Sequence, residues 1–131
     1  MTAEFVMGVD AGGTKTVVQL AASPDSGRNA TGLTHRAGGW GQLLGDEGSA
    51  YDIARMALQH VSQMADGRLR QSELLPTLLQ ALQLSDARGL VAAVYGSNNL
   101  KQNIAQLAPL VFACAAAGDE IAASIIRTSA D

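Results

Sequence analysis

A short segment near the start of the chain, residues 10–16, combines residue types that can bind a phosphate group. Its two adjacent glycines, Gly12 and Gly13, have no side chains, so their backbone N–H groups can approach an anion closely. Lys15 adds a positive charge that can bond phosphate oxygens. Two hydroxyl donors stand on either side of the lysine, at Thr14 and Thr16. The segment therefore predicts a phosphate-binding loop.

Asp10 opens the same segment and directly follows an apolar run, residues 5–9. A carboxylate at the end of a strand can hold a magnesium ion, directly or through the water shell that this ion keeps. A plain hairpin turn is the alternative, because a glycine pair alone is sufficient to reverse the chain. The segment lacks the Gly-Lys-Ser/Thr ending of a Walker loop and the spaced glycines of a dinucleotide fingerprint.

A second segment, residues 37–51, is dense in glycine and contains the one tryptophan of the chain, Trp40. An indole offers an apolar plane for a sugar ring, and the carboxylate of Asp46 is a strong acceptor for sugar hydroxyls. Asp46 and Glu47 stand just before a predicted helix, whose start favours ionised acids. The alternative is a capped loop in which Trp40 serves only as a packing anchor.

The elements that must position these segments change in type along the chain. Ten of the fourteen glycines fall within residues 1–48, so the first third is predicted to be strands and loops and the remainder helical. Apolar runs at residues 5–9 and 17–21 predict the two strands of a hairpin. Ser49 and Asp52 are spaced as a capping box that starts a helix with an apolar stripe. Further helices are predicted after Ser72, over residues 90–95, over residues 103–117 with a kink at Pro109, and from Asp119 onward.

The bulk composition limits the classes of partner. The net charge is -3 and the isoelectric point about 5.2, so the chain has no basic footprint for nucleic acid. No stretch approaches the roughly 20 apolar residues of a membrane span. The N-terminus lacks the basic region of a signal peptide, so we expect a cytoplasmic protein. The single cysteine, Cys114, excludes a disulfide within the chain and is expected to be a small buried side chain.

Both glycine-rich segments resemble motifs of known kinases. Residues 7–16 resemble the first phosphate-binding hairpin of the actin-like kinase superfamily. Residues 38–51 resemble the GGWG-x-LLGDEGS-x-Y signature of N-acetylglucosamine kinases and the related BadF/BadG/BcrA/BcrD ATPases. The resemblance implies an α/β fold, namely an incomplete actin-like ATPase (ribonuclease H-like) fold with a short N-terminal β-hairpin and then a mainly helical region. It places a remnant of the phosphate-binding subdomain at residues 1–37 and a part of the C-terminal subdomain at residues 38–131.

The resemblance also implies an activity, the ATP-dependent phosphorylation of N-acetylglucosamine or a related N-acetyl amino sugar, with ATP and Mg²⁺ as cofactors. The implied ATP-binding residues are Asp10, Gly12, Gly13, Thr14, Lys15 and Thr16, with Asp10 also the metal ligand. The implied sugar-binding residues are Gly39, Trp40, Gly41 and Asp46. A homodimer of the chain is a further expectation.

The chain departs from the family pattern in ways that leave its activity open. Only residues 17–37 separate the two motifs, where the family has a catalytic aspartate and a second phosphate loop of Gly-Thr-Gly-Ser type. The catalytic base is therefore unassigned. The chain resembles an internally shortened kinase that ends, at Asp131, before the adenosine-binding glycine loop of the family.

Two alternative functions stay open at this point. The first is an ATPase that activates a radical enzyme, which the single cysteine disfavours because a four-iron cluster takes four thiolates. The second is a non-enzymatic remnant that acts as an interaction module, using apolar surface that a longer kinase would cover.

Overall fold

The computed structural model describes residues 5–12, 15–22, 33–37, 40 and 44–130 of the 131-residue chain. The chain divides into two compact units, Met1–Asp46 and Glu47–Asp131. The first unit contains the strands and the second contains the helices. Each unit is described separately below.

The first unit contains a three-stranded antiparallel sheet in the order β1-β2-β3. Strand β1 spans Phe5–Gly12, β2 spans Lys15–Ala22 and β3 spans Leu33–Ala37. In the register of the first pair, Gly12 lies opposite Lys15. Both β1 and β2 extend further than the apolar runs that predicted them, because the strand pairing continues through the polar residues on each side of the turn.

The second unit is built around helix α1, Ala50–Ala65. One half of the predicted capping box is confirmed, since the Ser49 hydroxyl accepts a hydrogen bond of 3.0 Å from the backbone N–H of Asp52. The Asp52 carboxylate, the other half of the predicted box, accepts from Ser129 and Arg55. The helix ends at Ala65, and Gly67 just beyond it adopts a positive φ of 74° that few other residues tolerate. The apolar stripe of α1 is buried and consists of Ile53, Ala54, Ala57, Val61 and Met64.

Five shorter helices pack with α1 to form one aliphatic core. They are α2, Leu74–Ala81; α3, Leu90–Tyr95, preceded by a 3-10 turn at Ala87–Gly89; α4, Leu100–Ala105; α5, Ala108–Ala116; and α6, Glu120–Ala130. Helix α1 contacts α2, α4, α5 and α6, so it is the central element of this unit. The largest fully buried side chains are Met64, Leu74, Leu78, Ile125, Val61 and Val111. Cys114 is buried in the same core, as expected from its apolar surroundings.

The prediction of one kinked helix over residues 103–117 is wrong. The structure has two helices there, α4 and α5, with the break at Gln106 and Leu107. Pro109 lies in the first turn of α5, where its missing N–H leaves no helical hydrogen bond unmade. The proline therefore starts a new helix instead of bending an existing one.

The predicted end of this region is confirmed. Gly118 follows α5 with a positive φ of 98°, as expected for a glycine that terminates a helix. Asp119 then caps α6, because its carboxylate accepts hydrogen bonds from the backbone N–H groups of Ile121 and Ala122. Among the described helices, none is both long and apolar enough to cross a membrane.

Candidate functional site

The predicted phosphate-binding segment includes the end of β1 and the start of β2. Asp10 pairs with Val17 and Gly12 pairs with Lys15, so the backbone brings residues from both strands to the same end of the sheet. The predicted binding residues Asp10, Gly12, Lys15 and Thr16 therefore occupy paired strand positions at this end. The predicted binding residues Gly13 and Thr14 lie outside the described residues.

These positions provide a donor set that suits a nucleotide phosphate with its metal ion. A carboxylate at position 10 is a hard oxygen ligand of the kind that Mg²⁺ prefers. A lysine at position 15 supplies a point charge for a phosphate oxygen. Residue types that suit a phosphate group and a magnesium ion therefore lie at one end of the sheet. Their roles in binding stay predictions. Within the residues that the structure describes, no group of three or more metal-binding side chains is clustered.

In the second predicted segment, the indole of Trp40 is 73% exposed. Gly45 packs closely against it: a Cβ atom at position 45 would lie 3.1 Å from Trp40 Cβ and 3.2 Å from the Trp40 backbone nitrogen. A side chain at position 45 would therefore push Trp40 away by a few tenths of an ångström. Because most of the ring faces solvent, Trp40 presents an apolar plane and is not a buried packing anchor in this unit.

The predicted sugar acceptor Asp46 is buried, at 9% exposure, whereas the neighbouring Glu47 is exposed. The two acids therefore differ in environment although they are adjacent in sequence. The remaining predicted sugar-binding residues, Gly39 and Gly41, lie outside the described part of the chain.

The turn that follows these acids is held by side chains from the far end of the chain. Gly48 has a positive φ of 73°, and its backbone N–H donates a 3.0 Å hydrogen bond to the hydroxyl of Ser129. The Ser129 hydroxyl in turn donates a 2.7 Å hydrogen bond to Asp52 Oδ2. The turn before α1 is thus joined to the last turn of α6.

Asp52 also carries an ion pair, with 2.8 Å between its Oδ1 atom and an Arg55 guanidinium nitrogen. Partial burial raises the pKa of Asp52, but the Ser129 and Arg55 contacts lower it more, so that the pKa is held below its ordinary value. The carboxylate is therefore ionised at neutral pH and remains a hydrogen-bond acceptor.

Sequence reasoning assigned Asp52 only to helix capping and did not identify Ser129. The helical spacing of Asp52 and Arg55 was available as a local signal for their ion pair. Ser129 gave no such signal, because 77 residues separate it from Asp52.

A second polar junction joins the starts of α2 and α6. One carboxylate oxygen of Asp119 accepts from the backbone N–H of Leu74 at 3.2 Å, and the other accepts from Ile121 and Ala122. Burial raises the pKa of Asp119, but the N–H donors and the Ser72 hydroxyl lower it more, so the net direction is downward. This carboxylate has a structural role, because the helix termini themselves occupy its lone pairs.

Comparison with known proteins adds information on relatedness. The model of the BadF/BadG/BcrA/BcrD ATPase family matches residues 26–131. This match covers the tryptophan-containing segment and all the helices, and it begins after β2. The predicted phosphate-binding segment at residues 10–16 thus lies outside the matched range.

Two curated proteins are similar to this chain over about four fifths of its length. An N-acetyl-D-glucosamine kinase of Dictyostelium discoideum is 40% identical over 106 residues, which are 80% of this chain and 33% of that kinase. An N-acetylmuramic acid/N-acetylglucosamine kinase of Clostridium acetobutylicum is 35% identical over 104 residues, which are 79% of this chain and 34% of that protein. The chain therefore spans about a third of the length of these relatives.

A solved structure shares the fold of the chain. It is a provisionally assigned N-acetylglucosamine kinase from Chromobacterium violaceum, with a TM-score of 0.69 and 29% sequence identity. The similarity covers 96% of this chain and 40% of that structure.

Proposed function

Since the chain belongs to the BadF/BadG/BcrA/BcrD ATPase family, we propose that it acts in the ATP-dependent phosphorylation of N-acetylglucosamine or a related N-acetyl amino sugar. The names of its two curated relatives support this substrate class. The observation that carries the proposal is the exposed indole of Trp40, packed on Gly45 just before the acidic pair of residues 46–47.

The proposed sugar site uses an apolar plane and a carboxylate, the two features that recognise a carbohydrate. The indole of Trp40 would stack on the C–H face of the sugar ring. The carboxylate of Asp46 would accept a hydrogen bond from a ring hydroxyl, and its burial strengthens such a bond because water competes less for it. Gly39 and Gly41 would let the backbone approach the ring closely.

The proposed nucleotide site lies at the turn between β1 and β2. Backbone N–H groups of Gly12 and Gly13, together with Lys15 and the hydroxyls of Thr14 and Thr16, would bind the phosphates of ATP. Asp10 would hold Mg²⁺, which supplies charge neutralisation on the phosphates when bound. Catalysis of phosphoryl transfer depends mainly on holding the sugar hydroxyl and the terminal phosphate in line. The residue that accepts the proton of the sugar hydroxyl is unassigned.

We further propose that the fold is part of an actin-like ATPase fold. Its phosphate-binding remnant would occupy residues 1–37, and the helical part of its C-terminal subdomain would occupy residues 38–131. The likeness to the Chromobacterium structure supports this assignment. The cytoplasmic location and the homodimer stay predictions of the same hypothesis.

Calorimetric titration of the full chain with N-acetylglucosamine tests the proposed sugar site. We expect saturable binding, and we expect Trp40→Ala to weaken it about two- to tenfold, since stacking on an aromatic ring contributes roughly 0.5–1.5 kcal/mol. Tyr95→Ala is the matched control, because Tyr95 is an equally exposed aromatic side chain in α3, outside the predicted segment.

Three results would decide the proposal. Equal affinity in both variants would remove Trp40 from the sugar site. Equal affinity for glucose and N-acetylglucosamine would contradict the proposed preference for N-acetyl sugars. No heat from the wild-type chain with sugar, ATP and Mg²⁺ would favour the non-enzymatic remnant instead.

A further inference from the structure

The last turn of α6 makes a hydrogen-bonded connection to the turn that leads into α1. Ser129 is 3% exposed, and its hydroxyl uses both of its hydrogen-bonding capacities there. It accepts from Gly48 N–H at 3.0 Å and donates to Asp52 Oδ2 at 2.7 Å. A buried hydroxyl satisfied in both directions has one fixed orientation, so this contact specifies a geometry.

This connection is not needed to cap α1. The hydroxyl of Ser49 already accepts the Asp52 N–H, and a single N-cap of this kind is sufficient for a helix start. Ser129 instead binds Gly48, which precedes the helix and its cap. The contact therefore joins the last turn of α6 to the turn at residues 47–49 through Gly48, and to the first turn of α1 through Asp52.

The backbone at Gly48 also fits this contact closely. Its φ of 73° is one that L side chains rarely adopt, and a Cβ atom there would lie 3.3 Å from the carbonyl oxygen of Ser129. The absence of a side chain at position 48 thus allows both the turn and the close approach of α6. Glu47 directly precedes this glycine, and Asp46 directly precedes Glu47.

We propose that Ser129 is a positioning residue for sugar binding, because it fixes the turn at residues 47–49 that directly follows Asp46 in the sequence. This inference rests on the proposed function, because it takes Asp46 as a sugar acceptor. Ser129 touches no substrate in this account and acts only through Gly48 and Asp52.

The test compares Ser129→Ala with Ser124→Ala in the full chain. Both changes remove a serine hydroxyl from α6, but the hydroxyl of Ser124 bonds only to the Ile121 carbonyl of its own helix. Nuclear magnetic resonance would follow the exchange rate of the Gly48 amide and the titration of Asp52. Calorimetry would give the Kd for N-acetylglucosamine. Ser129→Thr, which keeps a hydroxyl, serves as the conservative variant.

For Ser129→Ala we expect three changes. The Gly48 amide exchanges faster, the pKa of Asp52 rises towards its ordinary value because a hydrogen bond that lowers it is lost, and the Kd for the sugar increases about five- to tenfold. For Ser124→Ala we expect none of the three, and Ser129→Thr is expected to restore a Kd close to that of the wild type.

Two outcomes would overturn the inference, and they can be told apart. If the wild type binds the sugar and Ser129→Ala binds it equally well, Ser129 has only a structural role. If the wild type does not bind the sugar, the proposed function fails and the positioning role fails with it. The exchange of the Gly48 amide needs no sugar, so it reports on the hydrogen bond itself in both cases.

Discussion

At the scale of single residues, two glycines of the tryptophan-containing segment make close contacts that an added side chain would crowd. Gly45 allows the approach of Trp40, and Gly48 allows the approach of the last turn of α6. The structural reasons differ between the two positions. At Gly45 only the space for a side chain is small, whereas at Gly48 the space is small and the backbone is also left-handed. Glycine density in this segment therefore reflects specific contacts and not only the bending of the chain.

A comparison of two glycines separates the effect of backbone strain from that of crowding. Gly48 and Gly67 have nearly the same φ, 73° and 74°, but a Cβ atom at Gly67 would meet no atom within 4 Å. We expect both alanine variants to lose about 1–2 kcal/mol of unfolding free energy from left-handed strain. Gly48→Ala should in addition weaken sugar binding, whereas Gly67→Ala should not.

Chemical denaturation and calorimetric titration of the two variants would measure these effects. The amide exchange of Ser129's neighbours in α6 would show whether the close contact to the turn has opened. An unchanged sugar Kd in Gly48→Ala would mean that the geometry of residues 47–49 does not matter for binding.

At the scale of elements, the helical unit depends on polar contacts at the helix starts as well as on its aliphatic core. Asp119 receives N–H donors from α2 and α6, so one carboxylate fixes the starts of two helices. Ser49 and Asp52 have a comparable role at the start of α1. Such contacts satisfy N–H groups that have no partner inside their own helix.

Substitution of Asp119 tests this role through the dependence of stability on pH. We expect Asp119→Ala to lower the free energy of unfolding by about 1–2 kcal/mol at neutral pH, as for loss of a helix cap. Because the folded pKa of Asp119 is depressed, its stabilisation is present above the ordinary value of 3.8 and is lost as the pH falls through the folded pKa. The difference between wild type and variant should therefore shrink below pH 3.8.

Glu120→Ala is the matched control, since it removes the next acid along the chain. Glu120 is exposed and pairs with Arg70 at the surface, where such pairs contribute little. Denaturant titrations over a series of pH values would measure both variants. A pH-independent loss in Asp119→Ala would show that the charge of the carboxylate does not contribute.

The helical elements could be predicted from sequence because their signals are local. The cap at Ser49, the apolar stripe of α1 and the glycine stop at Gly118 each depend on residues within a few positions of one another. The predicted kink at Pro109 was wrong, because the proline lies in the first turn of a separate helix. The sequence does not show whether a proline bends one helix or starts the next. The apolar pattern continues through the break between α4 and α5, so the sequence gives no sign that one helix ends there.

The contacts around the candidate site could be predicted only in part. The exposed Trp40 and the acidic pair were identified from residue type and spacing. The Ser129 contact was not, because Gly48 and Ser129 are 81 residues apart and an isolated serine near a chain end carries no pattern. Long-range polar contacts of this kind depend on the tertiary packing of α6 against α1.

At the scale of the whole molecule, family membership and length have to be considered together. The chain belongs to the BadF/BadG/BcrA/BcrD ATPase family, and it spans about a third of the length of the two N-acetylglucosamine kinases to which it is similar. The family match covers the proposed sugar-binding segment and the helices, whereas the proposed nucleotide-binding segment is supported by its residue types and its strand register. The proposed sugar binding is therefore supported by the family match, and the proposed ATP binding by residue types and strand register.

The most direct test of the central claim is the formation of ADP by the purified chain, followed by phosphorus nuclear magnetic resonance with ATP, Mg²⁺ and N-acetylglucosamine. The account predicts ADP and a sugar phosphate in equal amounts, only when the sugar is present, with the loss of both in Asp10→Ala and their retention in Asp66→Ala, which removes an exposed acid. ADP formation that is absent, or that is independent of the sugar, would contradict the account.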